Sequence, residues 1–271
     1  GFGASELLAT GHTLPAMRSG GFTAAELRTI GLRAGELGEG GYSPMELRGG
    51  GYRARELRGA DFSLVSMRGG GYTTKELKEV GCTAAELRQT GYSARELRDG
   101  SFGARDLRPL GYSAGELMAA GFEAIELRDV AVSLVELKAG GYDASDLRAA
   151  RYSAAEMRSA AFSAHQLKQA GYSGAEMRSG GFSASQLNEA GFTAKRVKAA
   201  GYAAGEALEA GWSVEVLKDA EYTAKELRDA KCVAAELKAV GFPLTELRAA
   251  GYSTPELQAV GYAPEELRAA G

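Results

Sequence analysis

The decapeptide "GYSARELRDG", residues 91–100, carries both a start signal and a stop signal for a helix. Ser93 is followed three residues later by Glu96, which is the spacing of a capping box: each side chain accepts a hydrogen bond from the backbone amide of the other residue. Gly91 stands where the helix of the preceding repeat must end, because the C′ position favours left-handed backbone. The stretch therefore predicts one short α-helix with its N-cap at Ser93.

The same ten-residue pattern recurs 27 times: Gly, aromatic, Ser/Thr, Ala, variable, Glu, Leu, Arg/Lys, variable, small. Proline tests this register, because it is tolerated at the N-cap and in the first turn but not later. Five of the six prolines comply: Pro44 and Pro264 at N1, Pro15 and Pro255 at N2, and Pro243 at the N-cap. Pro109 falls near the end of its helix, so we expect a shortened or distorted last turn there.

A β-solenoid built from five-residue steps is the alternative, since the aromatic residue and the leucine of each repeat are five positions apart. The capping box, the proline positions and the richness in Ala, Glu, Leu and Arg favour helix. With the N-cap at position three, the aromatic residue is N′ and the leucine is N4, the pair of a hydrophobic staple. We predict a core of these two positions, with Tyr92, Leu97, Trp212 and Leu217 as examples.

Helices this short are unstable alone in water, so each repeat has to pack on its neighbours. All 22 aromatic residues of the chain stand at position two, which favours a core role over an exposed stacking platform for nucleobases or sugars. The sequence therefore predicts an all-α fold: one continuous α-solenoid of 27 repeats over residues 1–271, with one short capped helix per repeat.

Departures from the consensus suggest a second, longer period. Position six lacks Glu in eight repeats, and four of these fall in one series of every fifth repeat: Ala16, Ser66, Gln166 and Val216. We interpret this as a superhelical rod with about five repeats per turn, in which these four residues form a candidate partner strip. Crowding inside the superhelix and duplication of a 50-residue unit are alternative explanations.

The charge argues against a nucleic-acid partner, since 32 basic and 35 acidic residues leave a net charge of only −3. Position eight is Arg or Lys in 21 repeats, a basic row that would either bind a polyanion or remain a solvated face with weak ion pairs. The longest stretch without a formal charge, residues 7–17, is too short to span a membrane.

Residues suited to catalysis or metal binding are scarce. Cys82 and Cys232 have no neighbouring Cys or His at metal-ligand spacing, and two cysteines are compatible with an intracellular protein. His12 occupies an aromatic position, which predicts a packed side chain, and His165 an outward position. Neither is placed beside a nucleophile by a known motif. We therefore expect no catalytic residue, no cofactor, no metal site and no enzymatic activity.

The chain resembles the α-solenoid class and, more closely, tandem decapeptide arrays with the core Gly-Tyr-Ser-Ala-x-Glu-Leu-Arg. The resemblance extends from Gly1 to Gly271 and implies a scaffold-like role, with no functional residues to carry over. The first and last repeats are in register and little adapted as caps, so either flanking segments are missing or copies meet end to end. We expect a structural scaffold that associates with itself or with other proteins of a larger assembly; the alternative is a protein- or peptide-binding module.

Overall fold

A computed structural model of the protein describes residues 3–270, which contain 27 α-helices, one 3₁₀ helix and no strand. The prediction of an all-α solenoid is confirmed, and the β-solenoid alternative is wrong. The helices are α1 Ala4–Ala9, α2 Leu14–Ser19, α3 Ala24–Thr29, α4 Ala34–Glu39, α5 Pro44–Gly49, α6 Ala54–Arg58, α7 Leu64–Gly69, α8 Thr74–Glu79, α9 Ala84–Gln89, α10 Ala94–Asp99, α11 Ala104–Leu107, α12 Ala114–Ala119, α13 Ala124–Arg128, α14 Leu134–Ala139, α15 Ala144–Ala149, α16 Ala154–Ser159, α17 Ala164–Gln169, α18 Gly174–Ser179, α19 Ala184–Glu189, α20 Ala194–Ala199, α21 Ala204–Glu209, α22 Val214–Asp219, α23 Ala224–Asp229, α24 Ala234–Ala239, α25 Leu244–Ala250, α26 Thr254–Ala259 and α27 Pro264–Ala269.

The chain divides into two compact units. One comprises the residues up to Val132 together with Ala139–Gly141, and the other comprises Ser133–Lys138 together with the residues from Tyr142 onward. Each unit is a stack of the same ten-residue element. The expectation of a single continuous solenoid over residues 1–271 stays a prediction.

Each helix begins and ends as its repeat predicts. In α10 the Glu96 amide donates to the Ser93 hydroxyl at 3.2 Å and the Ser93 amide donates to the Glu96 carboxylate at 2.7 Å. The preceding helix ends in a Schellman motif: the Tyr92 amide donates to the Leu87 carbonyl at 3.2 Å and the Gly91 amide to the Arg88 carbonyl at 2.8 Å. The first residue of one repeat therefore terminates the helix of the repeat before it.

The C′ residue has a left-handed backbone in every repeat from residue 11 to residue 261, whatever its identity. Glycine adopts this conformation readily, whereas a side chain with a Cβ is strained in it. Seven of these positions are not glycine: Asp61, Ser101, Ala131, Arg151, Ala161, Glu221 and Lys231. The fold therefore requires the left-handed conformation even at positions where the side chain disfavours it.

Pro109 distorts its helix as expected. The α-helix of that repeat ends early, at Leu107, and a 3₁₀ helix over Arg108–Leu110 replaces the last turn. Proline lacks the amide hydrogen that an α-helical turn would use at this point. The next repeat still begins in register, with Gly111 at φ 77°.

The core lies where side chains of positions two, four and seven meet. Leu97 and Leu217 are 0% exposed and Tyr92 is 5% exposed, whereas Trp212 is half-buried and packs against the core. Small residues at position ten allow close approach between helices: a Cβ added to Gly50 would lie 2.7 Å from the Cβ of Ala24. Position ten of one helix therefore packs on position four of the helix two repeats earlier.

The expectation of five repeats per turn is wrong. Within each unit a helix packs chiefly on the second helix along the chain, as α8 does on α10 and α17 on α19. Side chains reach one repeat further, since Arg18 pairs with Glu46, 28 residues later. Two to three repeats therefore complete a turn, and five repeats complete about two turns. The length of a turn depends on the angle between successive helices, which the pattern of one repeat does not contain.

Candidate functional site

Basic residues at position eight form the most regular polar arrangement on the molecule. Arg98 shows its geometry: the guanidinium lies 4.6 Å from the centre of the Phe122 ring, 3.5 Å from the Glu126 carboxylate and 3.3 Å from the Ala120 carbonyl oxygen. All three partners belong to repeats two or three places further along the chain. The arginine therefore links the C-terminal end of α12 to an aromatic ring and a carboxylate of the repeat that follows α12.

The same arrangement recurs in both units, and we call it the Arg–Glu ladder. Its ion pairs include Arg18–Glu46 at 2.9 Å, Arg28–Glu56 at 3.4 Å, Arg48–Glu76 at 3.2 Å, Arg68–Glu96 at 3.7 Å, Arg98–Glu126 at 3.5 Å, Arg148–Glu176 at 3.9 Å, Arg178–Glu206 at 3.9 Å and Lys198–Glu226 at 3.4 Å. These pairs are partly exposed, so each contributes little to stability. Their cations are already neutralised, which leaves them poorly suited to a polyanion.

The ladder is interrupted at a few positions. Gly38 stands in place of a basic residue, and Ser66, 28 residues later, stands in place of the carboxylate. Asn188 and Val216 form a second pair of this kind. In both places the nearby aromatic residue, Phe62 or Trp212, is only half-buried. The Phe62 ring lies where a Cβ on Gly38 would fall. Asn188 donates at 2.8 Å to the carbonyl of Ala210, which shortly precedes Trp212. Leu8 and Leu208 also interrupt the row, but the matching residues there keep their carboxylates, Glu36 and Glu236.

The candidate partner strip has mainly local contacts. Ala16, Gln166 and Val216 are exposed and Ser66 is half-buried. The backbone amide of each donates to the hydroxyl of the N-cap residue of its own helix: Thr13, Ser163, Ser213 and Ser63, respectively. Two of the four, Ser66 and Val216, also stand opposite a missing cation of the ladder. The strip stays a prediction, with the interrupted ladder as a competing explanation for half of it.

The Glu46 carboxylate titrates abnormally. A hydrogen bond from Arg18, followed in importance by hydrogen bonds from the Ser43 hydroxyl and amide, lowers its pKa to about 2. The backbone and side chain of Thr83 likewise lower the pKa of Glu86. The carboxylates of Glu46 and Glu86 are thus stabilised as anions by their own N-cap residues and, for Glu46, by Arg18 three repeats earlier.

Acid is expected to destabilise the fold through these carboxylates. A group whose folded pKa lies below its unfolded value stabilises the fold above the unfolded pKa and loses that contribution as the pH falls through the folded pKa. For Glu46 the loss occurs between about pH 5 and pH 2. Glu46→Gln keeps a hydrogen-bond acceptor, as Gln166 does with Ser163, but does not titrate. The difference in melting temperature between wild type and Glu46→Gln should be present at pH 7 and vanish near pH 2; a constant difference would contradict the assignment.

Tyrosine hydroxyls form a second ladder, inside the stack. Tyr72 donates to the carbonyl of Tyr52 at 2.8 Å, Tyr92 to that of Tyr72 at 2.6 Å and Tyr112 to that of Tyr92 at 3.0 Å. Burial raises the pKa of Tyr72 to about 12. The hydroxyls therefore satisfy backbone acceptors two repeats earlier and remain protonated.

Tyr72→Phe is expected to lower the free energy of unfolding by about 1 kcal/mol, because it leaves the buried Tyr52 carbonyl without this donor. Urea denaturation followed by circular dichroism measures the change. The same substitution at Tyr262, which is half-buried in the last repeat, is the control and should cost less, since water reaches that position. Equal losses at the two sites would show that the hydrogen bond is not the cause.

Open grooves recur between the repeats. One is lined by Arg18, Phe22, Tyr42, Glu46 and Gly50, and another has the corresponding residues from Lys168 to Ala200. In the first groove the polar side chains are mainly those of the ladder pair Arg18 and Glu46, whereas the second has the two cations Lys168 and Arg196 at the same positions. Such grooves follow from the repeat geometry, and none of those described gathers an acid, a base and a nucleophile.

The residues suited to catalysis or metal binding lie apart. Burial raises the pKa of the Cys82 and Cys232 thiols, which disfavours the reactive thiolate. His165 is exposed beside Gln169, at 2.9 Å. Within residues 3–270, no three His, Cys, Asp or Glu side chains cluster in a way that would hold a metal ion.

The prediction that His12 is packed is wrong. His12 is exposed, and its Nδ1 atom lies 3.1 Å from the Thr10 hydroxyl. In many later repeats a basic residue three repeats earlier covers the residue at this position, as Arg18 covers Tyr42.

Neither ladder was predicted from the sequence. Their partners are 20 and 28 residues apart, spacings that no single repeat displays. The coincidence of Gly38 with Ser66 and of Asn188 with Val216 is the one signal in the sequence from which the Arg–Glu ladder was detectable.

A family model described as "Decapeptide repeat region" matches residues 1–64, 71–139, 131–204 and 201–271. No curated protein matches the chain. In the part of the chain that the structure covers, no helix is long and apolar enough to cross a membrane.

Proposed function

Because this chain belongs to the decapeptide repeat family, we propose that its repeats serve as a structural scaffold, one that associates with itself end to end or within a larger assembly. The recurring polar side chains are engaged within the stack: Ser93 and Glu96 cap their own helix, and Arg98 pairs with a carboxylate three repeats later. Among the described residues, no buried side-chain nitrogen or oxygen lacks a hydrogen-bond partner. The recurring polar side chains thus stabilise the repeat stack.

One observation carries the proposal: positions that are buried in the interior repeats are more exposed in the first and last repeats that the structure describes. Phe22 is half-buried, whereas Phe122 is 3% exposed. Thr254 and Pro264 are exposed, whereas Ala234 at the same position is buried. Apolar surface that matches the interior of a repeat stack is suited to another such stack.

Light scattering on the size-exclusion peak of residues 1–271, over a concentration series, tests the proposal. We expect a mass that rises with concentration above 28.3 kDa, and negative-stain images of the same fractions that show particles lengthening. A mass of one chain at every concentration would contradict self-association.

A peptide-binding module is the second candidate, and the recurring grooves support it. Phe22 and Tyr42 contribute apolar surface to one groove, beside Arg18 and Glu46. The two charged groups already pair with each other at 2.9 Å, so a peptide would have to displace that pair or use the apolar surface alone. The scaffold remains the better supported function.

A further inference from the structure

One rung of the Arg–Glu ladder has a second cation in place of the carboxylate. A rung is the position-eight residue of one repeat together with the position-six residue that follows 28 residues later, as in Arg98 with Glu126. In the rung that begins at Lys168 the later residue is Arg196, which is the only basic residue at position six in the sequence. Two like charges therefore take the place of the consensus ion pair.

Both cations line one groove between α18 and α20. Its volume of 410 Å³ falls within the range of small-molecule sites, roughly 300–1,000 Å³. None of the described residues that line this groove is acidic, whereas the matching groove at Arg18 contains Glu46. The positive charge of the groove is therefore not compensated from within.

Contacts with the backbone hold the Lys168 ammonium in place. Its Nζ atom donates to the carbonyls of Ala190 and Gly191 at 3.0 and 2.7 Å and lies 5.4 Å from the centre of the Phe192 ring. An ammonium group has three donors, and these two bonds use two of them. One donor is left for a further acceptor.

The Arg196 guanidinium forms no hydrogen bond or ion pair within residues 3–270. Only the backbone amide of Arg196 is engaged, with the Thr193 hydroxyl at 3.4 Å. A guanidinium presents five N–H donors in a planar fork that matches an oxyanion. Because the side chain is exposed, these donors are accessible to a ligand.

Two other lysines have the same surroundings as Lys168 but a different residue at position six. Lys138 and Lys218 donate to the corresponding pairs of carbonyls and lie 4.4 and 5.3 Å from the centres of phenylalanine rings. Their rungs continue to Gln166 and Glu246, which are neutral and acidic. Arg196 at position six therefore distinguishes the Lys168 rung from these two.

The surrounding repeats add to the positive charge. Residues 151–200 contain seven basic and three acidic residues, a net charge of +4, whereas the whole chain carries −3. Arg158 also has no carboxylate in its rung, which continues to Gln186. A local excess of one sign of charge attracts ions of the opposite sign.

We propose that the groove between α18 and α20 binds a dianionic phosphoryl group, as free phosphate or a small phosphate ester, between Lys168 and Arg196. Two positive charges balance a phosphate dianion, whereas one carboxylate leaves a cation uncompensated. Arginine binds phosphate oxygens through two N–H groups of its fork, and lysine acts as a point charge. The site adds a ligand to the scaffold and does not depend on self-association.

Equilibrium dialysis of residues 1–271 against radiolabelled inorganic phosphate, at constant ionic strength and about pH 8, tests the site. We expect one saturable site per chain. Arg196→Glu supplies a carboxylate for Lys168, as Glu226 does for Lys198 at 3.4 Å, and should weaken binding at least about tenfold. Arg196→Gln should have an intermediate effect. Both residues occur at position six of other repeats, so both variants should keep the helical circular dichroism of the wild type.

Lys225→Glu is the matched control, because it changes the net charge as much as Arg196→Glu does at an exposed position of a different row; it should bind phosphate like the wild type. Glu246→Arg should create a second site at Lys218. The N-cap of that repeat is Pro243, which has no amide hydrogen for a position-six carboxylate to accept, so this variant loses no capping bond.

Absence of saturable binding by the wild type, or equal affinities for the wild type and Arg196→Glu, would overturn the proposal. Acetate that competes with phosphate as well as sulfate does would overturn the preference for a dianion. Glycerol 3-phosphate distinguishes the two sources of the phosphoryl group: tighter binding than inorganic phosphate would support an ester as the ligand, and weaker binding would support free phosphate.

Discussion

Replacing Leu97 by alanine is expected to lower the free energy of unfolding by about 3 kcal/mol. The side chain is 0% exposed. Its helix is held by local hydrogen bonds, from the Leu97 amide to the Ser93 carbonyl and from the Phe102 amide to the Leu97 carbonyl. Since the backbone is held at both ends of so short a helix, neighbouring repeats have little freedom to close the cavity. Urea denaturation followed by circular dichroism measures the loss.

Leu97→Met is the matched control and is expected to cost less than about 1.5 kcal/mol. Met67 and Met177 stand at the same position in their repeats and are 0% exposed, so the site accepts the thioether. Ala207 also occurs there, but Leu208 beside it packs against the core. Equal denaturation midpoints for the alanine and methionine variants would show that the leucine row does not hold the stack together.

The helices were predictable because their determinants are local. The capping pair Ser93 and Glu96, the left-handed Gly91 and the distortion at Pro109 each involve residues within one or two helical turns of one another. Such short-range hydrogen bonds and backbone preferences decide where a short helix begins and ends. The ten-residue pattern therefore predicts every boundary closely.

The stacking was not predictable in the same way. Whether a helix meets the first, second or fifth helix after it depends on the angle between successive repeats, and small changes in that angle accumulate. The every-fifth series that includes Ser66 led to five repeats per turn, whereas the contacts give two to three. The incorrect prediction that His12 is packed has a related origin, since burial at this position depends on contacts with another repeat of the stack.

The same distinction between local and long-range determinants applies to the candidate site. Glu at position six was correctly assigned to capping, yet its second role, accepting an ion pair from a repeat 28 residues away, depends on the stack. Ser66 and Val216, interpreted as members of a strip, stand 28 residues after Gly38 and Asn188, which is the spacing of the ladder. A deviation from consensus in a repeat protein thus has to be compared with the residues it meets in space before it is assigned to a partner.

Replacing Ala131 and Ala161 together by glycine is expected to raise the free energy of unfolding by about 2 kcal/mol. Both have left-handed backbones, with φ 59° and 58°, a conformation that costs a residue with a Cβ about 1–2 kcal/mol. The greater freedom of glycine in the unfolded chain offsets part of each gain, which leaves about 1 kcal/mol per site. The two positions share no described partner, so the gains should add.

The reverse substitutions provide the control. Gly31 and Gly81 have φ 90° and 89°, and no heavy atom lies within 4 Å of the position where a Cβ would be added. Gly31→Ala with Gly81→Ala therefore introduces backbone strain without a clash and should lower the free energy of unfolding by about 2 kcal/mol. Opposite shifts in the urea midpoint for the two double variants would establish that the left-handed backbone at the C′ position is the reason that glycine is favoured there. If both pairs left the midpoint unchanged, the left-handed conformation would not be strained for alanine. The frequency of glycine at the C′ position would then not be explained by the conformation of the folded chain.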